Sequence, residues 1–304
     1  MSSNFAYFDD EAARKEWLDK RRLGIGASES ASILGLNPYK SAYALWAEKV
    51  GLVDPADLSE NEAVEWGHVL EASIAEKYLR VTGRQVACPD AFEVRKCAEH
   101  PFMLATLDRI ILPSGGKSHG VLEIKTTGSH HEGEWDGDAP TAYQCQLQHQ
   151  LIVTGWTWGS LAVLIGGQKF RYLDLERNDR FCAFLVEREE EFWDRVQRED
   201  PPPVDASDST REALKRLYPQ DSGEKIALPG DALEWSCRRV ELKEQIKTLQ
   251  QELQGIDNQI KAAIGEATFG VLPDGSGFKY AIQKRAAYQV AAAEYRVLRE
   301  VKKI

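Results

Sequence analysis

The chain has 304 residues, 43% apolar and 28% charged, with 38 Lys and Arg against 48 Asp and Glu for a formal net charge of −10. This excludes a disordered chain and fits a soluble globular protein, either one large domain or a domain of about 200 residues with an appendage. An acidic balance also argues against a nucleic-acid partner unless positive charge is localised, because phosphates need a basic surface to neutralise them.

Residues 1–17 carry no apolar h-region, so no signal peptide is read. A helix is expected over residues 10–22, with Trp17 on its apolar side, followed by a loop over residues 24–29. The Gly24, Gly26 pair in that loop is no dinucleotide fingerprint, since a helix precedes it where a strand is required. Ser59 and Glu62 form a capping box for a long helix to about residue 82, supported by Val64, Val69, Ile74, Ala75, Tyr78 and Leu79. Strands are expected at residues 92–95, 103–112, 121–127, 160–165 and 170–175, with a helix over residues 141–153 between the third and fourth. Residues 139–168 contain no Asp, Glu, Lys or Arg, yet Gln144, Gln146, Gln148, Gln150, His149 and a GWTWG break favour a buried helix and strand over a membrane span. The order predicts an α/β (α+β) fold with a mixed central sheet flanked by helices.

Pro201, Pro202 and Pro203 end a charge-dense helical stretch, residues 178–200, and set an expected domain edge, giving domains 1–203 and 204–304. The first carries 22 basic against 33 acidic residues and the second 16 against 15, so the acidity belongs to the N-terminal part. In the second, Leu242, Ile246, Leu249, Leu253, Ile256, Ile260 and Ala263 recur at spacings of four and three, the seam of a coiled coil or helical hairpin within a long helix over residues 231–264. A turn at residues 273–277 then joins two expected strands in a β-hairpin, and the chain ends in a basic helix; residues 278–304 hold seven basic and two acidic residues. The five cysteines, Cys88, Cys97, Cys145, Cys182 and Cys237, never take CxxC spacing, so neither a disulfide framework nor a zinc or iron–sulfur site is expected, and a reducing cytoplasm fits.

The informative stretch is LDRIILPSGGKSHGVLEIK, residues 107–125, two apolar runs around a Gly-Gly turn. A hairpin closing symmetrically on Gly115 and Gly116 sets Asp108 opposite Glu123. Like charges directly opposite are destabilising on a sheet unless a cation sits between them. Strand alternation puts Lys125 on the face of Glu123 and turns Ile124 into the core. Two carboxylates and an ammonium on one face make a hard-metal site with a cationic neighbour. Phosphodiester hydrolysis needs a nucleophilic water, charge neutralisation on the phosphoryl oxygens and a stabilised leaving oxygen, all of which carboxylate-bound magnesium supplies. Lys125 would orient the water or help deprotonate it. An isolated ExK is usually a plain strand motif, and what raises this one is the added Asp, the hairpin spacing and the surrounding blocks.

Asp…ExK on adjacent strands resembles the PD-(D/E)XK nuclease superfamily, whose core is restriction-endonuclease-like. The blocks RRLGIGASES (residues 21–30), GLNPYK (35–40), EWGHVLE (65–71) and YQCQ (143–146) resemble, in order, the motifs of the phage lambda-exonuclease-like, or YqaJ viral recombinase, family over roughly residues 15–180. Leu107 stands where that pattern has Pro, a variation the superfamily tolerates. The resemblance implies that Glu71, Asp108, Glu123 and the Ile124 backbone carbonyl hold one or two Mg2+ ions, with Mn2+ as a substitute. It further implies that Lys125 serves the attacking water, that Tyr143 and Gln146 support the catalytic sheet, and that Ser28 with Arg21, or Arg22 as close second, binds DNA phosphate at the 5′ end. The activity implied is a metal-dependent DNA exonuclease resecting duplex ends 5′ to 3′ without ATP, in the bacterial host cytoplasm, as a phage or prophage protein. The partners implied are double-stranded DNA ends, a single-strand annealing protein, and further copies of the chain in a homo-oligomer, a ring trimer being one form; no membrane is implied.

Each residue has a blander reading. Glu71 alone would be a surface helix residue, and Tyr143 with Gln146 would suit a buried hydrogen-bonding patch. The histidines lack zinc spacing and read as solvated; Trp17, Trp46 and Trp66 read as core, and Trp135, in a Gly/Asp loop, as the aromatic to test for base stacking. Three rival functions stand beside the exonuclease: an endonuclease on the same core, a DNA-binding or assembly module without turnover, and an interaction role for the C-terminal region.

Overall fold

A computed structural model describes residues 11–58, 60–285 and 296, 298 and 299. Two compact units divide it, Met1–Tyr218 and Pro219–Ile304.

The first unit begins with α1 (Glu11–Arg22), β1 (Ile25–Gly26), a 3-10 turn (Ala27–Glu29), α2 (Ser30–Ile33) and α3 (Ala42–Lys49). Then come α4 (Glu62–Thr82), β2 (Val86–Ala87), β3 (Arg95–Lys96), β4 (Met103–Ala105), β5 (Arg109–Ile111) and β6 (Gly120–Thr127). A second 3-10 segment (Ser129–Trp135), α5 (Thr141–Thr154), β7 (Trp158–Ile165), β8 (Lys169–Glu176), α6 (Asp179–Arg198) and α7 (Asp208–Leu217) complete it. The central sheet has the order β2-β5-β6-β7-β8, and a smaller one runs β1-β4-β3. Only β6 and β7 are parallel within the central sheet. A parallel pair needs a crossover, and α5 supplies it, which is how an uncharged run of sequence becomes a buried helix and strand. Among the described residues no helix is long and apolar enough to cross a membrane.

Residues Gly120 to Ile124 of β6 are buried in succession because both faces of the sheet are covered. Leu122, Ile124 and Ala162 pack with Ile74, Ala75 and Tyr78 of α4. Val121, Leu161 and Val163 pack with Leu147 and Leu151 of α5 on the other face. The mixed sheet flanked by helices is the fold expected.

Several local expectations change. The strand expected over residues 103–112 is broken at Thr106 to Asp108 into β4 and β5, which belong to different sheets. There Leu107 turns into the core, and the Asp108 carboxylate takes the Ile124 N–H in place of a ladder partner. The strand expected from Phe92 starts at Arg95, because Phe92 sits at φ +62 and leaves extended geometry. Helix α4 is capped by Asn61, whose side chain accepts from the Ala63 and Val64 N–H groups; Ser59 lies outside the described residues, as does nearly all of the basic terminal helix.

The domain edge expected at residue 203 is not where the first unit ends. Helix α7, unread in the Asp/Ser-rich segment, is capped by Ser207 and buries Ala213 with Leu45, Trp46 and Phe192. Thr210 Oγ1 donates to Ser41 Oγ at 2.8 Å and the Ser41 N–H to Ser209 Oγ at 3.0 Å, so the unit continues through Tyr218. The second unit holds α8 (Ala232–Ile264) and an antiparallel hairpin of β9 (Phe269–Val271) and β10 (Gly277–Lys279).

Candidate active site

The β5–β6 register pairs Arg109 with Leu122, Ile110 with Val121 and Ile111 with Gly120, and Ser114 bridges Lys117 across the turn. That symmetric closure sets Asp108 opposite Glu123 at the mouth of the pair, just where β5 has left the ladder. Asp108 Oδ2 accepts the Ile124 N–H at 2.7 Å. Because the N–H and C=O of a strand residue leave the same edge, the Ile124 carbonyl faces the Asp108 side as well.

Glu123 is 2% exposed and three donors hold it. Lys125 Nζ lies 2.6 Å from Oε1, Gln146 Nε2 donates to Oε1 at 2.5 Å, and Gln150 Nε2 donates to Oε2 at 2.6 Å. Gln146 also accepts from Lys125 Nζ at 3.1 Å, and the ammonium stands 5.1 Å from the centre of the Tyr143 ring. Tyr143, Gln146 and Gln150 share one face of α5 by helical spacing. Burial would lower the Lys125 pKa, but the carboxylates of Glu123 and Asp108 outweigh it and raise it.

Asp108 is the strained member. Burial, then the charges of Glu123 and Glu71, push its carboxyl well above the usual carboxylate range, against the opposing pull of Lys125. Glu71 enters from α4, also raised by burial, with Glu123 adding to the rise and Arg109 opposing it. Arg109 Nη1 donates both to Glu71 Oε1 and to the Asp108 carbonyl oxygen. The structure therefore brings Asp108, Glu123, Lys125, Gln146, Tyr143 and Glu71 to one end of the sheet, with Glu71 turned to Arg109. Among the described residues no three His, Cys, Asp or Glu side chains stand together as a preformed metal cage. The donor set nevertheless suits a hard cation: oxygen ligands only, at least two of them carboxylates whose mutual repulsion is poorly offset by the protein itself.

The N-terminal loop is a second cluster. Arg21 Nη2 donates to Ser28 Oγ at 3.2 Å, and its guanidinium lies 4.7 Å from the Trp17 ring. Glu29 fixes the loop, accepting from the Gly26 N–H at 2.7 Å and pairing with Lys49 at 2.7 Å. Burial would raise the Glu29 pKa, but Lys49 and Arg21 outweigh it and hold it below its ordinary value. Gly24 is required here because a Cβ would collide with the Phe102 carbonyl oxygen. Of the two arginines weighed, Arg21 joins Ser28, whereas Arg22 turns outward to Asp54 at 3.3 Å.

Sequence reasoning missed Gln150 and His149. Gln150 follows Gln146 by four, a spacing that would have found it. His149 is wholly buried, not solvated: Nε2 bonds the Leu104 carbonyl oxygen at 2.9 Å, and Nδ1 meets Glu189 Oε1 at 2.9 Å and Ser30 Oγ at 3.1 Å. It thereby ties α5 to α2, β4 and α6. Two tryptophans also differ from expectation. Trp135 is 6% exposed and stacked on Tyr143 at 5.7 Å, which removes it as a base-stacking platform, and Trp66 is exposed where core was expected.

Residues 16–157 match the YqaJ-like viral recombinase domain. The chain is 36% identical over 269 residues to the uncharacterized protein YqaJ of Bacillus subtilis (strain 168), covering 87% of this chain and 82% of that one. Among solved structures, the alkaline exonuclease LHK-Exo from Laribacter hongkongensis is similar with a TM-score of 0.50 at 20% identity, over 61% of this chain and 94% of that one. The structure of LHK-Exo in complex with dAMP gives the same score and identity over 66% and 96%. At that identity the likeness is one of fold, that of the alkaline exonuclease core. The chain belongs to the YqaJ-like viral recombinase family.

Proposed function

We propose that the protein is a metal-dependent deoxyribonuclease that hydrolyses phosphodiester bonds from the ends of duplex DNA, 5′ to 3′, leaving single strands for annealing. The observation that carries the reading is the joint hold of Lys125, Gln146 and Gln150 on Glu123 beside a buried Asp108 whose charge the protein leaves poorly offset. Such an arrangement has little value for stability, since like charges in a low dielectric oppose folding, and much for binding a cation and a phosphate.

Asp108, Glu123 and the Ile124 carbonyl would hold Mg2+, or Mn2+ in its place, with Glu71 joining on release from Arg109. The metal supplies Lewis acidity to the phosphoryl oxygens and lowers the pKa of water. Lys125 orients the attacking water and stabilises charge as it develops, while Gln146 and Tyr143 keep its ammonium beside Glu123. Arg21 and Ser28 hold the terminal 5′ phosphate, a charge-assisted contact that selects an end over an interior bond. The same reading includes a homo-oligomer that keeps the DNA engaged, a single-strand annealing partner for the product strand, and action in a bacterial host cytoplasm.

The test is digestion of linear duplexes labelled at either end, with and without a 5′ phosphate, in magnesium and in chelator. Label release from the 5′ end in magnesium alone is expected. Cleavage of a covalently closed circle by the wild type but not by Asp108→Ala would replace the exonuclease with an endonuclease. No magnesium-dependent loss of linear duplex, with Lys125→Ala behaving as wild type, would leave a binding module.

A further inference from the structure

Helix α8 is 33 residues long and buries none of them. At 1.5 Å per residue it is about 50 Å of helix, partly covered in its last turns at Ile260 and Ile264. Leu242, Ile246, Leu249, Leu253 and Ile256 lie along one stripe, and Leu249 is 63% exposed. An isolated helix gains little from propensity alone, and an apolar stripe of this length in water marks a surface that meets another helix. The spacing of four and three is that of a two-helix seam, with Ile246, Leu253 and Ile260 at the a positions and Leu242, Leu249, Ile256 and Ala263 at d.

The charges flanking the seam say what covers it. The e positions are Lys243, Gln250 and Asp257, and the g positions Arg238, Gln245, Glu252 and Gln259. In a parallel pair of identical helices, g faces the next e of the other copy. Arg238 would then meet Lys243 and Glu252 would meet Asp257, each twice, and all four contacts repel. In an antiparallel pair, e faces e and g faces g. With the crossing point at Gln251, Lys243 meets Asp257 twice, Gln250 meets Gln250, and Gln245 meets Gln259. The one like-charge contact left is Glu252 against its own copy. The same register sets Leu242 opposite Ile260, Ile246 opposite Ile256 and Leu249 opposite Leu253, so every large apolar seam residue faces another.

We propose that α8 is a dimerisation element that pairs antiparallel with α8 of a second copy of this chain, in the register that sets Leu249 against the second copy's Leu253 and Lys243 against its Asp257. The two α8 helices then run in opposite directions along the shared seam. This inference does not rest on the nuclease reading, because it concerns residues outside the first unit.

Sedimentation equilibrium of the full chain tests it, with circular dichroism to confirm that each variant keeps its helix. Lys243→Glu and Asp257→Lys should each weaken self-association about tenfold, since each turns two attractive contacts into repulsive ones. The double variant should restore it. Neither substitution changes a seam residue, Lys243 being exposed and Asp257 half-buried. A parallel pair gives the opposite sign, because Lys243→Glu would then face Arg238 and tighten the dimer, and that result overturns the proposal. A wild type that is monomeric throughout the concentration range overturns it too, as does an association that neither charge reversal changes.

Discussion

Glu123 and Lys125 stand two positions apart on β6 and meet at 2.6 Å, with the Gln146 carboxamide closing the triangle by donating to one and accepting from the other. Replacing that amide with a carboxylate keeps an acceptor for the ammonium but sets a third negative charge against Glu123. Gln146→Glu is therefore expected to slow release of 5′ label from linear duplex by about a hundredfold with the fold retained. A rate within a few fold of wild type in single-turnover digestion would refute the role given to Gln146.

Gln150 is the donor to the second oxygen of Glu123, at a position that is wholly buried. Gln150→Leu leaves that oxygen without its partner and should cost about 1–3 kcal/mol, read as a lower Tm in chelator. Saturating magnesium should recover part of the loss, because a ligand that binds only the folded state stabilises it.

The raised pKa of Asp108 fixes the sign of a pH effect. A group whose folded pKa lies above its unfolded value adds stability below the unfolded pKa of 3.8 and loses it as pH rises through the folded value. At pH 7 in chelator Asp108 is therefore a burden on the folded state. Asp108→Asn should raise Tm by a few degrees there, with the gap narrowing as pH falls from the folded toward the unfolded pKa and gone below it, and it should abolish the rise in Tm that magnesium gives the wild type. Calorimetry in which the variant melts below the wild type at pH 7 in chelator would contradict this account.

Arg21 and Arg22 are neighbours in sequence with different partners, Ser28 and Asp54. Digestion rates of duplexes with and without a 5′ phosphate separate them. Arg21→Ala should reduce the preference for phosphorylated ends by about tenfold or more, whereas Arg22→Ala should change it by less than about twofold. Equal effects would show that both arginines contact the end.

His149 and Glu189 are both fully buried, and His149 Nδ1 lies 2.9 Å from Glu189 Oε1. His149→Leu should lower stability by about 1–3 kcal/mol by leaving the buried Glu189 carboxyl without its partner. The double variant His149→Leu with Glu189→Leu should lose less, since no orphaned carboxyl remains. Denaturant midpoints compare the two, and a double variant less stable than the single one would defeat the explanation.

Much of the first unit was legible because its signals are local. The Gly115 and Gly116 turn set the β5–β6 register, and with it the meeting of Asp108 and Glu123, from turn symmetry alone. The uncharged run became α5 and β7 because no charged residue can enter a doubly covered sheet without a partner. The heptad seam of α8 was likewise a matter of spacing.

What depended on contacts between distant segments was not legible. Local context made the histidines solvated, Trp66 a core residue and Trp135 an exposed ring, whereas His149 is buried against Leu104 and Glu189, Trp66 is exposed, and Trp135 is covered by Tyr143 of α5. The edge of the first unit moved from residue 203 to Tyr218 because Ser41 and Thr210 bond across the fold. Only tertiary structure set Arg21, and not Arg22, beside Ser28 and added Gln150 to the hold on Glu123, because hydrogen bonding depends on where a side chain arrives and not on its residue type. The acidic net charge belongs to this second class: sequence alone fixed its value, while the fold gathered Glu71, Asp108 and Glu123 at one end of the sheet, where their repulsion favours a cation.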